Sequence, residues 1–238
     1  MNYFVIGDIH GCLNQLISIQ DKIFNYQKYK KEEDLLIYLG DYIDRGPKSK
    51  QVIDQLIQLK NKETKTIFLM GNHEEMMTDF LFNKTNNLKD WLNFGADKTF
   101  KSYDIEVVDF IKDGFEDHNI DKLRKVFLEK LENDHINFFS NLKLKFSVGK
   151  FLFVHAGIDP TKRFQDQTKK DYLWSRSDNF FHKDFKAEKI IVHGHTPEKK
   201  VVNFPYRINV DTGCYFSGKL SCVCLNDVGI DRNFIHAT

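Results

Sequence analysis

The chain has 238 residues, of which 41% are hydrophobic and 29% are charged, and its formal net charge is +1. This length suffices for one large α/β domain with a sizeable core, and the near-neutral charge argues against a nucleic-acid partner, since nucleic-acid-binding domains usually carry a basic excess. No stretch approaches the roughly 18 apolar residues that a membrane-spanning helix needs, and the N-terminus lacks the regions of a signal peptide, so no membrane association is expected.

Five short apolar runs end abruptly in polar turns. Each run is typical of a strand that is covered on both faces. In chain order the runs are residues 3–6, 35–39, 67–70, 151–154 and 190–192, and the turns that follow read GDIHG, GDYIDRGP, GNHE, HAG and HGHTP. Glycine in these turns allows tight bends and close approach of the backbone.

Helical segments are predicted after the first three strands, at residues 13–26, 49–60 and 74–82. This alternation indicates an α/β sheet, in which ligands bind at the carboxyl ends of the strands. The polar turns are therefore expected to converge at one edge. Residues 88–145 are more helical and more polar, with amphipathic spacing over 120–142. We interpret them as a helical insertion over the site, within a single domain that spans residues 1–238.

The turns carry carboxylate, amide and imidazole groups, which are Asp8, His10, Asp41, Asn72, His155 and His195. Mixed oxygen and nitrogen donors without thiolate suit Mn, Fe, Zn, Co or Ni. Six donors exceed one closed tetrahedral site. They suit two ions about 3.5–4 Å apart that share a bridging carboxylate, a centre that makes hydroxide at neutral pH and holds phosphoryl oxygens for in-line displacement.

The other polar residues of the turns fit phosphoryl chemistry. Arg45 can hold phosphate oxygens in a bidentate fork. His73 can protonate a leaving oxygen as a general acid. It would need a carboxylate to keep it protonated and oriented, and Asp44 is the natural candidate.

Together these motifs resemble those of the calcineurin-like metallophosphoesterases, within the short bacterial form of the phosphoprotein phosphatase branch. The five motifs occur in the family order and span nearly the whole chain. The resemblance implies an α/β fold of two mixed β-sheets packed as a sandwich and flanked by helices. It also implies two divalent metal ions, with manganese as the expected one.

The resemblance assigns roles to individual positions. Asp8 and His10 would bind the first metal and Asp41 would bridge both, while the second metal would be completed by Asn72, His155 and His195.

His73, paired with Asp44, would be the acid. Arg45 would hold phosphate, and Arg176 in LWSRSDNFF is the candidate for a second phosphate-binding arginine. The family pattern places the ligand directly after glycine, which selects His195 over His193 and leaves His193 as a core or supporting residue.

The motifs leave the substrate open. GNHE and YIDRG are forms typical of protein phosphatases and favour a serine/threonine protein phosphatase, with dual specificity open. Met70 stands where protein phosphatases commonly have a basic residue, and this favours the alternative, a bis(5′-nucleosyl)-tetraphosphatase that acts on diadenosine tetraphosphate. The expected partner is thus a phosphorylated protein or a small phosphoester.

Two other classes fit less well. Nuclease-like phosphodiesterases usually end in Gly-His-x-His, whereas Thr196 and Pro197 follow His195 here. A metal-binding scaffold that has lost catalysis should lack a ligand or the acid, and every one is present.

The remaining motifs are interpreted structurally. The four cysteines, Cys12, Cys214, Cys222 and Cys224, do not show the paired spacing of zinc ligands. We therefore expect them to be buried thiols, in a protein of the reducing cytoplasmic compartment. Surface positions are expected for His118, His135, His182 and His236. The segment 90–103 is either a satellite core or a wall facing the substrate, and 211–214 is expected at the rim of the site.

Overall fold

The computed structural model describes residues 1–26, 29–30, 32–61, 64–83, 85–112, 114–226 and 233–238. Its strands form two five-stranded sheets. The first sheet contains β1 (Asn2–Ile6), β2 (Leu35–Tyr38), β3 (Thr66–Phe68), β9 (Leu220–Asn226) and β10 (Asn233–Ala237), in the order β10-β9-β1-β2-β3. The second contains β4 (Lys145–Val148), β5 (Phe151–Val154), β6 (Ile190–His193), β7 (Val202–Asn203) and β8 (Arg207–Asn209), in the order β4-β5-β6-β8-β7.

Both sheets are mixed, as predicted. Strands β1, β2 and β3 are parallel, and β9 and β10 run antiparallel beside them. In the second sheet β5, β6 and β8 are parallel, with β4 and β7 antiparallel at the edges. Parallel neighbours end at the same edge, so each sheet presents a row of turns there.

Strand alternation divides the apolar core into layers. In β1, Tyr3 and Val5 face the second sheet and contact residues such as Phe153, whereas Phe4 and Ile6 face the helices. Successive side chains of a strand point to opposite faces, so an unbroken apolar run fills two cores at once. This explains why the strands read as continuous apolar runs.

The described helices flank the sandwich. They are α1 (Leu13–Phe24), α2 (Ser49–Asn61), α3 (Asn72–Leu81), α4 (Leu88–Asn93), α5 (Ala96–Ser102), α6 (Val108–Ile111), α7 (Asp117–Lys130), α8 (Asn133–Ser140), α9 (Lys169–Trp174), α10 (Asp178–Phe181) and α11 (Cys214–Ser217), with one 3-10 turn at Phe164–Asp166. None of those described is long and apolar enough to cross a membrane.

Two helix predictions differ from the structure. Helix α3 begins at Asn72, two residues before the predicted start at 74, so Asn72 and His73 lie in its first turn. The amphipathic stretch 120–142 is two helices, because Leu131 at the end of α7 has extended backbone angles (φ −74°, ψ 123°). Both helices pack on the core of the first sheet through residues such as Phe127 and Phe139.

The histidine expectation was wrong for His135. This residue is fully buried, with Tyr103 Oη 2.7 Å from Nδ1 and Asp54 Oδ1 2.9 Å from Nε2. A buried imidazole needs such partners, because an unpaired polar group in a core is costly. His118 and His182 are exposed and His236 is half-buried.

The four cysteines carry free thiols. Cys214, Cys222 and Cys224 are buried, as expected, and Cys12 is half-buried.

Candidate metal centre

The polar turns of both sheets meet at one place. Strands β1, β2 and β3 lead to Asp8, His10, Asp41 and Asn72, and strands β5 and β6 lead to His155 and His195. All six side chains are buried. The structure thus brings together every residue that was expected to bind metal, and their role as ligands stays a prediction.

The turns are sharply bent. Among the described non-glycine residues, those with positive φ are His10 (47°), Asp41 (53°), Asp44 (69°), Arg45 (65°), Asp104 (57°) and His195 (68°). Each such residue costs roughly 1–2 kcal/mol relative to ordinary backbone. All but Asp104 belong to the predicted site, so the backbone strain lies where the polar groups converge.

Asp41 lies between two groups of donors. Its Oδ2 is 3.4 Å from His10 Nε2 and 3.7 Å from His73 Nε2. Its Oδ1 is 3.3 Å from His155 Nε2. One carboxylate therefore lies between the two clusters, with an oxygen near each, and could contribute to both.

The second cluster is the tighter of the two. His155 Nε2 lies 2.9 Å from Asn72 Oδ1 and 3.1 Å from His195 Nδ1. His195 Nδ1 is also 2.9 Å from the same Asn72 oxygen. Three potential donor atoms thus surround one point beside Asp41.

The protein backbone orients these imidazoles. Nδ1 of His10 lies 2.8 Å from the carbonyl oxygen of Ile43, and Nδ1 of His155 lies 2.9 Å from that of Leu39. A ring that donates through Nδ1 has its lone pair on Nε2. In both residues that nitrogen is the atom directed at Asp41.

The charge balance of the pocket fits divalent cations. Asp8 Oδ2 accepts the backbone N–H of His195 (2.9 Å), while Asp8 Oδ1 is buried without a hydrogen-bond partner. Burial raises the pKa of Asp8 well above its ordinary value, and the charges of Asp211 and Asp41 add to the effect. A cation beside this oxygen would offset both costs.

Burial favours the neutral form of the imidazoles, which is the form that binds metal. Burial lowers the pKa of His10 and of His155. Burial, together with His155, lowers the pKa of His195 to about 2. Burial would raise the pKa of Asp41, but the surrounding imidazoles, His155 first, hold it below its ordinary value. Divalent ions bind neutral imidazole and ionised carboxylate, and the lowered pKa values of these imidazoles and of Asp41 favour those forms.

His73 is held by Asp44. Its Nδ1 lies 2.7 Å from Asp44 Oδ2, while Nε2 is buried without a hydrogen-bond partner and points toward Asp41. Burial alone would lower the pKa of His73, but Asp41 and the hydrogen bond to Asp44 raise it above its ordinary value. His73 can therefore carry a proton on Nε2 that is not hydrogen-bonded to another described residue.

The two predicted arginines reach the rim of the pocket. Arg45 Nη1 lies 3.3 Å from His10 Nε2, and Arg176 Nε donates to His195 Nε2 at 3.2 Å. Arg45 is half-buried and Arg176 is exposed. Each guanidinium thus borders one donor cluster, where it could bind a phosphate oxygen.

The family profile of the calcineurin-like phosphoesterases matches residues 1–234. This chain belongs to that family. The two mixed sheets and the flanking helices described above are the fold that the resemblance implied.

Individual relatives of this phosphoesterase cover almost its whole length. The asymmetrical bis(5′-nucleosyl)-tetraphosphatase PrpE of Anoxybacillus flavithermus (strain DSM 21510 / WK1) is 27% identical over 244 residues, which covers 94% of this chain and 90% of the relative. A crystal structure of a protein provisionally described as a diadenosine tetraphosphatase superposes with a TM-score of 0.65 at 17% identity, covering 100% of this chain and 94% of the other. A Saccharomyces cerevisiae protein serine/threonine phosphatase has a TM-score of 0.59 at 16% identity, with 100% and 79% coverage.

Sequence reasoning missed how this phosphoesterase holds Asp44. Trp91 Nε1 donates to Asp44 Oδ2 at 2.7 Å. Thr99 accepts the backbone N–H of Asp44 at 2.8 Å, and its hydroxyl donates to Oδ1 of the same residue. Both partners lie in the segment 90–103, which was expected to be a satellite core or a wall facing the substrate.

That segment belongs to the core and borders His73; its role as a wall facing the substrate stays a prediction. Trp91 and Phe100 are fully buried in the core. Phe94 is half-buried, and its ring centroid lies 5.8 Å from that of His73. Gly95 packs directly against Arg45, where an added Cβ would lie 2.9 Å from the backbone nitrogen.

Glu74 organises the turns of the phosphoesterase. Its carboxylate accepts backbone N–H groups from Asp41 (2.9 Å), Tyr42 (2.8 Å) and Gly71 (2.9 Å). The turn after β2 and the start of α3 are therefore joined through one buried side chain.

His193 is a core residue, as expected. It is fully buried, with Nδ1 2.9 Å from the Gly194 carbonyl oxygen and Nε2 3.3 Å from Arg207 Nη1. Asp211, expected at the rim, lies deeper than that. It is 3% exposed, and its charge acts on Asp8.

Proposed function

We propose that the protein hydrolyses bis(5′-nucleosyl) tetraphosphates asymmetrically at a centre of two divalent metal ions. Water would add across one P–O–P bridge and release a nucleoside triphosphate and a nucleoside monophosphate. The reaction type is inferred from the position of Asp41. One of its carboxylate oxygens lies 3.4 Å from His10 and the other lies 3.3 Å from His155.

The nature of the substrate is supported by the relatives. The PrpE of Anoxybacillus flavithermus compared above is an asymmetrical bis(5′-nucleosyl)-tetraphosphatase. It is 27% identical to this chain, and the alignment covers nearly the full length of both proteins. The serine/threonine phosphatase predicted from GNHE and YIDRG has no such support, because the match to the yeast phosphatase is at 16% identity and speaks to the fold alone. It stays a prediction that the experiment below tests.

The chain holds the metals with residues from both sheets. Asp8, His10 and Asp41 would bind one ion, and Asp41 with Asn72, His155 and His195 would bind the other. Two such ions supply a nucleophile at neutral pH and charge that stabilises the attacking and leaving oxygens. We propose manganese as the ion to use first.

The protein supplies charge and a proton around that centre. Arg45 and Arg176 are placed at the rim to neutralise and orient the polyphosphate. His73, protonated through Asp44, has Nε2 free to donate to the leaving oxygen. A polyphosphate leaves as a weaker base than a serine alkoxide, so this proton matters less for a nucleotide than for a phosphoserine ester.

The test is turnover by metal-free protein reconstituted with Mn²⁺. Diadenosine tetraphosphate, a phosphoserine peptide, a phosphotyrosine peptide and p-nitrophenyl phosphate would be compared by kcat/KM, with nucleotide products separated by chromatography. We expect the dinucleotide to be preferred and to give ATP and AMP.

Other products or preferences would contradict the proposal. Two molecules of ADP would mean symmetrical cleavage, and a higher kcat/KM for a phosphopeptide would restore the protein phosphatase. An Asp41→Asn variant serves as the control for contaminating activity, because it removes the charge that both clusters share.

A further inference from the structure

Two aromatic side chains stand exposed beside the metal-facing residues. Tyr215 and Phe216 lie in α11, between Gly213 and Gly218, and are 40% and 63% exposed. The ring centroid of Tyr215 lies 5.4 Å from that of His10, and that of Phe216 lies 4.9 Å from Tyr215. Rings left in water forgo the burial energy that aromatic side chains can supply, so their place at the mouth of the pocket points to a ligand.

A phosphate-binding group lies against the same rings. The Arg45 guanidinium carbon is 4.7 Å from the centroid of Tyr215, and Arg45 also borders His10. An arginine for phosphate next to an aromatic face for a base is the combination that binds nucleotides.

Phe216 provides the open surface of the pair. A Cβ added at Gly213 would overlap the Phe216 ring, and Gly213 has φ +64°. The Phe216 ring therefore packs directly on the backbone of Gly213, where the Cβ of any other residue would overlap the ring. Tyr215 already has Arg45 over its ring, so the exposed part of Phe216 is the surface that remains for a base.

The other aromatic pair at the centre is more enclosed. Phe94 and Trp174 are half-buried with centroids 6.0 Å apart, and Trp174 Nε1 donates to Glu75 at 2.6 Å. These rings are already committed to contacts within the protein. They are less suited to receive a base than Phe216.

Asymmetrical cleavage requires a base close to the metals. The reacting phosphorus then lies at one end of the polyphosphate, so one nucleobase is separated from it by little more than a ribose. The Phe216 ring contacts the Tyr215 ring, which in turn contacts His10. Phe216 is therefore close enough to the metal-facing residues to contact that base.

We propose that Tyr215 and Phe216 form a stacking platform for the nucleobase nearest the reacting phosphate, and that this platform selects nucleotides over phosphopeptides. The inference rests on the proposed function and names the part of the site that recognises the base. Stacking tolerates different bases, because every base has a π-face, so the platform would not select adenine strictly.

The first test compares Phe216→Ala, Phe216→Trp and the unmodified protein, each loaded with Mn²⁺. The readout is kcat/KM for diadenosine tetraphosphate divided by kcat/KM for p-nitrophenyl phosphate. We expect this ratio to fall about tenfold in Phe216→Ala, the effect of losing one stacked base, mainly through KM. Phe216→Trp should retain most of it. Phe115→Ala removes another exposed ring (39%), in the connection between α6 and α7, and should leave the ratio unchanged. An unchanged ratio in Phe216→Ala, or an equal loss with a phosphoserine peptide, would overturn the proposal.

The second test separates this inference from the proposed function. AMP and ribose 5-phosphate are compared as inhibitors of p-nitrophenyl phosphate turnover, which needs no dinucleotide hydrolysis. We expect AMP to inhibit more strongly than ribose 5-phosphate in the unmodified protein, and the difference to disappear in Phe216→Ala. If this holds while diadenosine tetraphosphate is not cleaved, the platform stands and the proposed reaction fails. Equal inhibition by the two compounds would overturn the platform whatever the protein hydrolyses.

Discussion

At the scale of single residues, the site is built from backbone that most side chains avoid. His10, Asp41, Asp44, Arg45 and His195 all have φ between 47° and 69°. In this left-handed region Cβ crowds the following carbonyl, which costs a non-glycine residue roughly 1–2 kcal/mol. This conformational strain accompanies turns that direct five polar side chains toward the site.

Arg45 allows this cost to be measured without removing a proposed metal ligand. At φ 65°, glycine is relaxed and alanine is strained, so we expect Arg45→Gly to be about 1 kcal/mol more stable than Arg45→Ala. Urea unfolding of the metal-free proteins gives the difference.

Two pairs of variants control this comparison. Asp104, at φ 57° and outside the site, should show the same order. Gln58 is an exposed residue in the interior of α2, where glycine should instead be about 1 kcal/mol less stable than alanine. If Arg45→Ala equals or exceeds Arg45→Gly in stability, the turn is not strained as described.

The contact between His73 and Asp44 leads to a prediction about pH. The Asp41 charge and the Asp44 hydrogen bond raise the pKa of His73 against the effect of burial. Proton donation by His73 needs the protonated ring, so its contribution to the rate is present at low pH and is lost as pH rises through this pKa. Asp44→Asn removes one of the raising charges and should move the alkaline limb of kcat/KM to lower pH.

The matched control is Asp54→Asn. Asp54 is the carboxylate partner of another buried histidine, His135, and that pair lies outside the site. Its pH profile should coincide with that of the unmodified protein. An alkaline limb that Asp44→Asn leaves in place would mean that another group sets it.

At the scale of elements, the turns after β2 and β3 depend on glycines that touch. A Cβ at Gly40 (φ +102°) would lie 2.5 Å from the backbone nitrogen of Gly71 and 2.7 Å from its Cα. Neither element can move freely, because Glu74 bonds both turns. Close packing of these two turns is therefore a condition for placing Asp41 beside Asn72.

Gly40→Ala should be at least ~2 kcal/mol less stable than Gly218→Ala, because it adds a backbone overlap to the left-handed strain that both share. Gly218 has φ +70° with nothing within 4 Å of an added Cβ. Denaturant midpoints of the two variants provide the comparison. Similar midpoints would show that the turns after β2 and β3 can separate at little cost.

Much of the site could be predicted because its chemistry lies in local motifs. A strand followed by Asp, Asn or His indicates a candidate donor, and the structure brings all six candidates together in buried positions. Helix α3 was placed two residues late because Asn72 and His73 were interpreted as turn residues. Glu74 satisfying the N–H of Gly71 is half of a capping box, and that pattern could have indicated the earlier start.

Contacts between distant segments were beyond such reasoning. Trp91 and Thr99 reach Asp44 across 47 and 55 residues, and Asp54 reaches His135 across 81. In each of these pairs, the sequence around one residue contains no pattern that indicates the other residue. Glu74 also shows why GNHE was a weak guide to substrate, because its carboxylate is spent on backbone N–H groups and is fully buried.

At the scale of the whole molecule, the centre joins the two sheets. Asp8 and Asp41 follow strands of the first sheet, while His155 and His195 follow strands of the second. Ions bound between them would link the sandwich at one edge. The folded state would then gain stability from metal that the unfolded chain cannot use.

Removing the metal should therefore lower Tm. Free Mn²⁺ at about 100 times its Kd adds ~2.7 kcal/mol, and a protein of this size gains about 2–4 °C per kcal/mol. We expect Tm to rise by ~5–10 °C when Mn²⁺ is added after EDTA treatment and dialysis, as measured by calorimetry.

Asp41→Asn should lose most of this rise. Asp54→Asn should keep it, although Asp54, Glu132 and His135 form another group of potential donors. A rise that depended on Asp54 would place the stabilising ion at that group and away from the two-sheet edge.

The strained turns also bear on how this protein would respond to laboratory evolution. A library screened only for heat resistance would accept glycine at Arg45, since the replacement relaxes the backbone. It would also delete a side chain that the reaction is proposed to use. At this position stability and turnover are opposed, so a screen must select for both together, or the most stable variants will be inactive.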